Sequence, residues 1–140
     1  MSDIERRISD SFRAQGLMAT LGAELAHVAE GEVHITLSPR PELSQQHGYI
    51  HAGALTSVLD SACGYAAMTV AQPGFNVLTV EFKVNFMRPA RADRFVAVGK
   101  VTKAGKTITV CQGEIFAEEG SQREAIAIMQ ATIINVPGST

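Results

Sequence analysis

The chain has 140 residues, of which 46% are hydrophobic, and a formal net charge of −2 at pH 7. This length suits a single domain with its own core, and the charge offers no general attraction to nucleic acid. Two cysteines are too few for a disulfide framework or a zinc site. The charged start has no apolar signal core, and no apolar run is long enough to span a bilayer. We therefore expect a cytoplasmic protein that binds neither nucleic acid nor membrane.

The predicted elements begin with a short amphipathic helix within residues 1–18. Ser2 or Asp3 can cap its start, and it should end near Gly16. The side chains expected to face inward are Ile4, Ile8 and Phe12. Two strand-like runs, 21–31 and 32–39, then meet at Glu30-Gly31 and predict a hairpin.

After a polar loop, a long apolar helix is predicted, and Pro73-Gly74 should end it. Apolar residues at helical spacing form one stripe: Leu55, Val58, Leu59, Ala62 and Ala66. Small residues and one acid fall on the opposite side: Gly53, Thr56, Ser57, Asp60, Gly64 and Ala67. A surface helix would carry Lys and Glu there, so we expect a partner subunit and a ligand to cover this face.

Four further strands are predicted at residues 76–87, 94–102, 106–117 and 123–136, with turn signals between the last three. The first alternates an apolar face with a polar face that includes Thr79 and Glu81. The whole pattern predicts one α+β domain over residues 1–140. In it, an antiparallel sheet of about six strands wraps around one long central helix.

Asp60 is the only charged side chain between Glu42 and Glu81. One interpretation is structural, with a buried acid tied to Thr56 or to a partner's backbone N–H, because unpaired burial is costly. The other interpretation is that Asp60 is a catalytic residue. Free backbone N–H groups and the helix dipole make the Ala52-Gly53 turn a plausible oxyanion site. Asp60 lies about two turns further along the same helix, too far to meet a carbonyl held there.

Several motifs together carry a family resemblance. They are the run from Gln45 to Gly53, Asp60 in the helix, the run from Asn85 to Ala90, and Gly105-Lys106. From about Leu21 onward the chain resembles the hotdog-fold acyl-CoA thioesterases of the phenylacetate-degradation type. The resemblance implies a dimer, or a dimer of dimers, in which the acid of one subunit faces the turn of the other.

The resemblance also implies roles for individual residues. Asp60, nine positions after His51, would be general base or nucleophile, and the Ala52 and Gly53 N–H groups would polarise the carbonyl. Ala52 replaces a family glycine but keeps its N–H. Gln45 and Thr79 would position water or substrate. His51 would hold the turn or transfer protons, and both readings stay open.

The substrate implied is an acyl-CoA, with coenzyme A as part of the substrate and neither metal nor separate cofactor. Residues expected near coenzyme A are Phe86, Arg88, Lys103, Gly105 and Lys106. Ordinary solubility also explains such cations. Cys63 is better read as a small core residue than as a nucleophile.

Two other functions remain open at this level. One is a non-catalytic acyl-CoA-binding or sensing module on the same fold. The other is a hydratase or dehydratase, which is ranked lower because His51 stands in thioesterase spacing. The pattern does not reveal the acyl group.

Overall fold

The computed structural model of the protein describes residues 1–138. The helices are α1 (Asp3–Ala14), α2 (Gly16–Leu21) and α3 (Ala52–Val70), with a 3-10 turn at Pro41–Leu43. The strands are β1 (Glu24–Ala29), β2 (Glu32–Leu37), β3 (Phe75–Phe86), β4 (Arg94–Ala104), β5 (Ile108–Glu119) and β6 (Gln122–Pro137). In these residues, no helix is both long and apolar enough to cross a membrane.

All six strands form one antiparallel sheet in the order β1-β2-β4-β5-β6-β3. The central helix α3 packs across one face of this sheet, and its stripe of Leu55, Val58 and Leu59 is fully buried. Burial of that stripe against the sheet supplies the main core, because apolar area removed from water is the dominant stabilising term. The α+β architecture predicted from the sequence is therefore confirmed.

The N-terminal segment differs from its prediction. Gln15 has extended backbone angles (φ −81°, ψ 107°), which end α1 and separate it from the unpredicted helix α2. The Gln15 amide donates to the Tyr65 hydroxyl at 3.0 Å and accepts from the Ser61 hydroxyl at 3.1 Å. These bonds dock the segment on α3. Ile8 is buried as expected, but Ile4 is 41% exposed, so its predicted inward position is wrong.

One residue of the predicted outer face of α3 is also placed differently. Ala67 is fully buried within the single chain, whereas Thr56, Ser57, Asp60 and Gly64 are only partly buried. Their small side chains keep this face open, as the pattern predicted, over a shorter length than expected.

Strand β3 contains a bulge that the alternation did not predict. Thr79 pairs with Ile133 and Glu81 pairs with Thr132, so Val80 has no partner in the β6 ladder. An extra residue moves the flanking side chains to other faces. Thr79 therefore shares the helix side of the sheet with the buried Ile133, and its predicted place on the polar face with Glu81 is wrong.

β3 is also an edge strand, paired on one side with β6, and it has apolar side chains in solvent. Leu78 is 61% exposed, Val80 58% and Phe82 42%. A long edge of this kind presents free N–H and C=O groups and is a template for pairing with another chain.

Candidate functional site

The loop before α3 is held by the side chain of Gln45. The Gln45 Oε1 atom accepts hydrogen bonds from the backbone N–H groups of His47 at 2.5 Å and Tyr49 at 3.2 Å. The Gln45 N–H also donates to the Tyr49 carbonyl at 2.8 Å. Within residues 1–138, this leaves the amide NH₂ of Gln45 as the part of the side chain without a partner.

His51 caps the start of α3 with its ring. Its Nδ1 atom accepts a hydrogen bond from the Gly53 N–H at 2.7 Å, which requires the neutral tautomer protonated on Nε2. A Cβ at Gly53 would lie 3.0 Å from Nδ1, so a larger residue here would require the His51 ring to shift. The Gly53 N–H is therefore occupied by the cap, and Ala52 presents the N–H that no group within residues 1–138 accepts.

A cleft of about 360 Å³ lies beside this turn. The Ile50 N–H donates to the Ala90 carbonyl at 3.0 Å and so ties the loop to the segment that follows β3. Five of the residues expected in the site line this cleft: Gln45, His51, Ala52, Phe86 and Arg88. Arg88 is also ion-paired with Glu124 of β6. The cleft thus combines an exposed helix start with an aromatic ring and a cation.

Asp60 lies further along α3 and meets Thr79 of β3. The Thr79 hydroxyl donates to Asp60 Oδ1 at 2.8 Å, and the bulge at Val80 makes this contact possible. Partial burial raises the pKa of Asp60 above its ordinary value, and the Thr79 hydrogen bond opposes that rise. Thr56, the partner suggested by the structural interpretation, makes no hydrogen bond with Asp60 within residues 1–138. Asp60 is thus a half-buried carboxylate whose Oδ2 atom accepts no hydrogen bond from residues 1–138, which suits a general base.

Within one chain, the turn and the acid do not form one site. Ala52 and Asp60 are eight residues apart on α3, or about 12 Å along the helix axis. Asp60 and Thr79 lie near the start of β3, whereas Ala52 lies near its end, beside Phe86. A thioester polarised at Ala52 is therefore out of reach of Asp60 of the same chain.

The expected cluster of cations is also divided in the single chain. Lys103, Gly105 and Lys106 lie at the turn between β4 and β5, where the Gly105 and Lys106 carbonyls accept from Asn135 Nδ2 at 3.2 and 3.1 Å. Gly105 has no room for a side chain, since a Cβ would lie 2.2 Å from the Ile108 carbonyl oxygen. The pairing of β5 with β6 and of β6 with β3 places this turn beside the start of β3.

Arg88 follows the opposite end of β3. The pairs Ile108–Ile134 and Ile134–Leu78 mark one end of the sheet, and Phe86–Ala127 marks the other. Leu78 and Phe86 are separated by about 27 Å of extended strand. The sequence pattern predicts where each strand ends but not which ends lie side by side, so it did not predict this separation.

The two cysteines are structural. Cys63 and Cys111 are fully buried, and the Cys111 thiol donates to the Cys63 carbonyl at 3.4 Å. Burial raises the pKa of both thiols, that of Cys111 to about 12. Neither is a ready thiolate nucleophile.

Residues 47–124 match the Thioesterase superfamily, which is more than half of the chain. The chain belongs to the thioesterase superfamily. Among solved structures, a thioesterase family protein from Silicibacter pomeroyi is 43% identical, with a TM-score of 0.94 over 96% of this chain and 99% of its own. The chain also shares its fold with the PaaI protein of the Escherichia coli phenylacetic acid degradation operon, at 21% identity and a TM-score of 0.87. That match covers 97% of this chain and 95% of PaaI.

A curated relative carries a more specific name. The medium/long-chain acyl-CoA thioesterase YigI of Escherichia coli is 24% identical over 71% of this chain and 74% of its own length. These findings confirm the hotdog fold and the resemblance to the PaaI type, and they assign this thioesterase to the thioester hydrolases.

Proposed function

We propose that the protein hydrolyses acyl-CoA thioesters at a site shared between two copies of the chain. The observation that carries the proposal is that the two parts of the site lie far apart within a single chain. One part is the half-buried Asp60 carboxylate, which is hydrogen-bonded to Thr79. The other is the Ala52 N–H, which has no partner within residues 1–138, at the start of the same helix. The acyl-CoA substrate is supported by the resemblance to YigI.

Pairing of two β3 edges would join the two parts. In a two-fold dimer the same strand meets itself antiparallel, so the start of one β3 lies beside the end of the other. Asp60 and Thr79 of one copy then approach Ala52 and Phe86 of its partner. The exposed apolar side chains of β3 would be covered by the same contact.

The chemistry follows from these positions. Asp60 takes a proton from water as the water attacks the carbonyl carbon, or the carboxylate attacks the carbon itself. The Ala52 N–H and the positive end of the helix dipole stabilise the oxyanion that forms. Collapse of the tetrahedral intermediate breaks the C–S bond, and the thiolate of coenzyme A leaves. On the general-base route, the thiolate takes up the proton held by Asp60. On the nucleophilic route, an anhydride between Asp60 and the acyl group is left, and water hydrolyses it to the free acid and the Asp60 carboxylate and supplies the proton of the thiol. Thr79 and the Gln45 NH₂ position water or substrate, and His51 holds the turn.

Release of free thiol from acyl-CoAs tests this function most directly. A series of short, medium, long and aryl acyl-CoAs should include at least one that the protein hydrolyses with saturable kinetics. Tight binding of acyl-CoA without thiol release from any of them would instead favour the binding or sensing module.

The protein should be at least a dimer at micromolar concentration, because the β3 edge and the site both need a second copy. Sedimentation measured together with activity checks this. A folded monomer that hydrolyses acyl-CoA at full rate would contradict the shared site.

Replacing Thr79 by Val should shift the pH dependence of turnover. The Thr79 hydroxyl lowers the pKa of Asp60, so its loss should raise that pKa further and move the acidic limb of kcat/KM to higher pH. Thr79→Ser keeps the hydroxyl and is the matched control. An acidic limb that stays in place in Thr79→Val would mean that Asp60 is not the titrating base.

Neutral replacements of Arg88, Lys103 and Lys106 should raise KM for acyl-CoA and leave turnover of a short pantetheine thioester nearly unchanged. Across the proposed dimer, the Lys103–Lys106 turn of one copy approaches the Arg88 end of the other. Loss of phosphate contacts weakens substrate binding without changing the chemical step. Lys83→Gln on the outer face of β3 is the control. Equal losses on both substrates would assign these cations to the fold or the reaction centre.

A further inference from the structure

A second cluster of chemically active side chains lies on the β1–β2 hairpin. It consists of His27, Glu32 and His34, and one ligand atom from each lies within 4.8 Å of the other two. His34 Nε2 is 2.6 Å from Glu32 Oε2, and the rings of His27 and His34 are 4.7 Å apart between centroids. β1 and β3 are the two opposite edges of the sheet, so the cluster is separate from the thioesterase site.

The backbone of the hairpin brings these residues together. His34 and Glu32 are two apart on β2 and so share a face. His27 pairs directly with His34 because the turn at Glu30-Gly31 sets a regular ladder of Ala29–Glu32, Val28–Val33 and His27–His34. Val33, the neighbour of His34 on β2, is fully buried on the helix side, so His34 faces the other way. Its direct pairing with His34 therefore places His27 on the same outer face.

We propose that His27, Glu32 and His34 bind a divalent transition-metal ion of the zinc class, with water in the fourth position. Two imidazole nitrogens and one carboxylate oxygen are a ligand set that zinc uses in open tetrahedral sites. Zinc bonds of about 2.0–2.2 Å place tetrahedral ligand atoms about 3.3 Å apart. The three ligand atoms lie from 2.6 Å to at most 4.8 Å apart, on both sides of that value, so modest rotations of these partly exposed side chains would give tetrahedral coordination.

The local charges are compatible with a cation, with one opposing group. Glu32 shares its oxygens between two neighbours, because Oε2 faces His34 and Oε1 lies 3.9 Å from Lys100 Nζ. The ion would replace the His34–Glu32 hydrogen bond and bridge the two strands. Lys100 would repel it, so removal of this positive charge should tighten binding.

Zinc titration of the metal-free protein, followed by calorimetry, tests the site. Wild type should bind one ion per chain at micromolar concentration, and its melting temperature should rise with zinc because only the folded state holds the three ligands together. His34→Ala and Glu32→Gln should each weaken binding at least about tenfold, the scale seen even for residues that merely support metal ligands. Lys100→Gln should strengthen it.

The control is His47→Ala, which removes an exposed loop histidine outside the cluster and should leave zinc affinity unchanged. Cobalt should give the intense visible bands of a four-coordinate site in wild type and not in His27→Ala. His27 is an exposed side chain on an edge strand, so this variant keeps the test available should His34→Ala fail to fold.

Three results would overturn the proposal. The first is no uptake of zinc by wild type up to about 0.1 mM, a concentration at which only very weak sites stay empty. The others are equal zinc affinity in folded His27→Ala and loss of zinc binding in His47→Ala.

Discussion

Asp60→Asn should lower kcat for acyl-CoA hydrolysis by at least about 100-fold, the lower range for loss of a general base. The substitution keeps the size of the side chain and the oxygen that accepts from Thr79. It removes the negative charge that would take a proton from water or attack the carbonyl carbon. Steady-state kinetics on a hydrolysed acyl-CoA give the comparison with wild type.

The same variant should keep its fold, and its stability indicates which role Asp60 has. Burial raises the pKa of Asp60 in the folded state, so its stabilising contribution is present at low pH and is lost as pH rises through the raised pKa. A neutral Asn avoids that loss, and we expect an unchanged or higher melting temperature at pH 7. Asp10→Asn on α1, in an exposed ion pair, is the matched control. A lower melting temperature with near-normal kcat would make Asp60 structural.

Ala52→Pro should lower kcat by about 100-fold to 1,000-fold, as removal of one oxyanion donor does. Ala52 is the first residue of α3, where proline is well tolerated because the N–H has no partner inside the helix. The preceding His51 has φ −61° and ψ 135°, which a following proline accepts. The variant thus removes one donor with little strain. Ala52→Gly keeps the N–H and should retain most activity.

Mixing the two inactive proteins tests whether the site is shared. In a dimer of one Asp60→Asn chain and one Ala52→Pro chain, one site holds both changes and the other holds neither. Random exchange of two-fold dimers should then restore about a quarter of wild-type activity. Activity that stays at the level of the separate variants after confirmed subunit exchange would place acid and turn in one chain's site.

The sequence predicted the fold well because its signals were local. The stripe of Leu55, Val58 and Leu59 marked the central helix, and Glu30-Gly31 marked the first hairpin. The short helix α2 was missed because Gly16 suggested a helix end, whereas the chain resumes a helix directly after Gln15.

The candidate site was less predictable because it depends on contacts between distant segments. Asp60 and Thr79 were each selected from the sequence, yet no residue type marks the bulge that lets them touch. The occupation of the Gly53 N–H by His51 depends on the ring orientation, which spacing does not define. Arg88 and Lys103 were grouped by charge, but the order of strands in the sheet separates them.

The bulge at Val80 makes the length of β3 as important as its composition. Deletion of this one residue would close the bulge and leave Thr79 opposite Ile133 on the helix side, directly before Glu81. The same deletion would leave every named side chain of the site present in the sequence. A homologue that is one residue shorter here and has a regular strand therefore keeps all the motif residues, with its helix-facing hydroxyl directly before the equivalent of Glu81. In such comparisons, the placement of the alignment gap decides which residue is equivalent to Thr79.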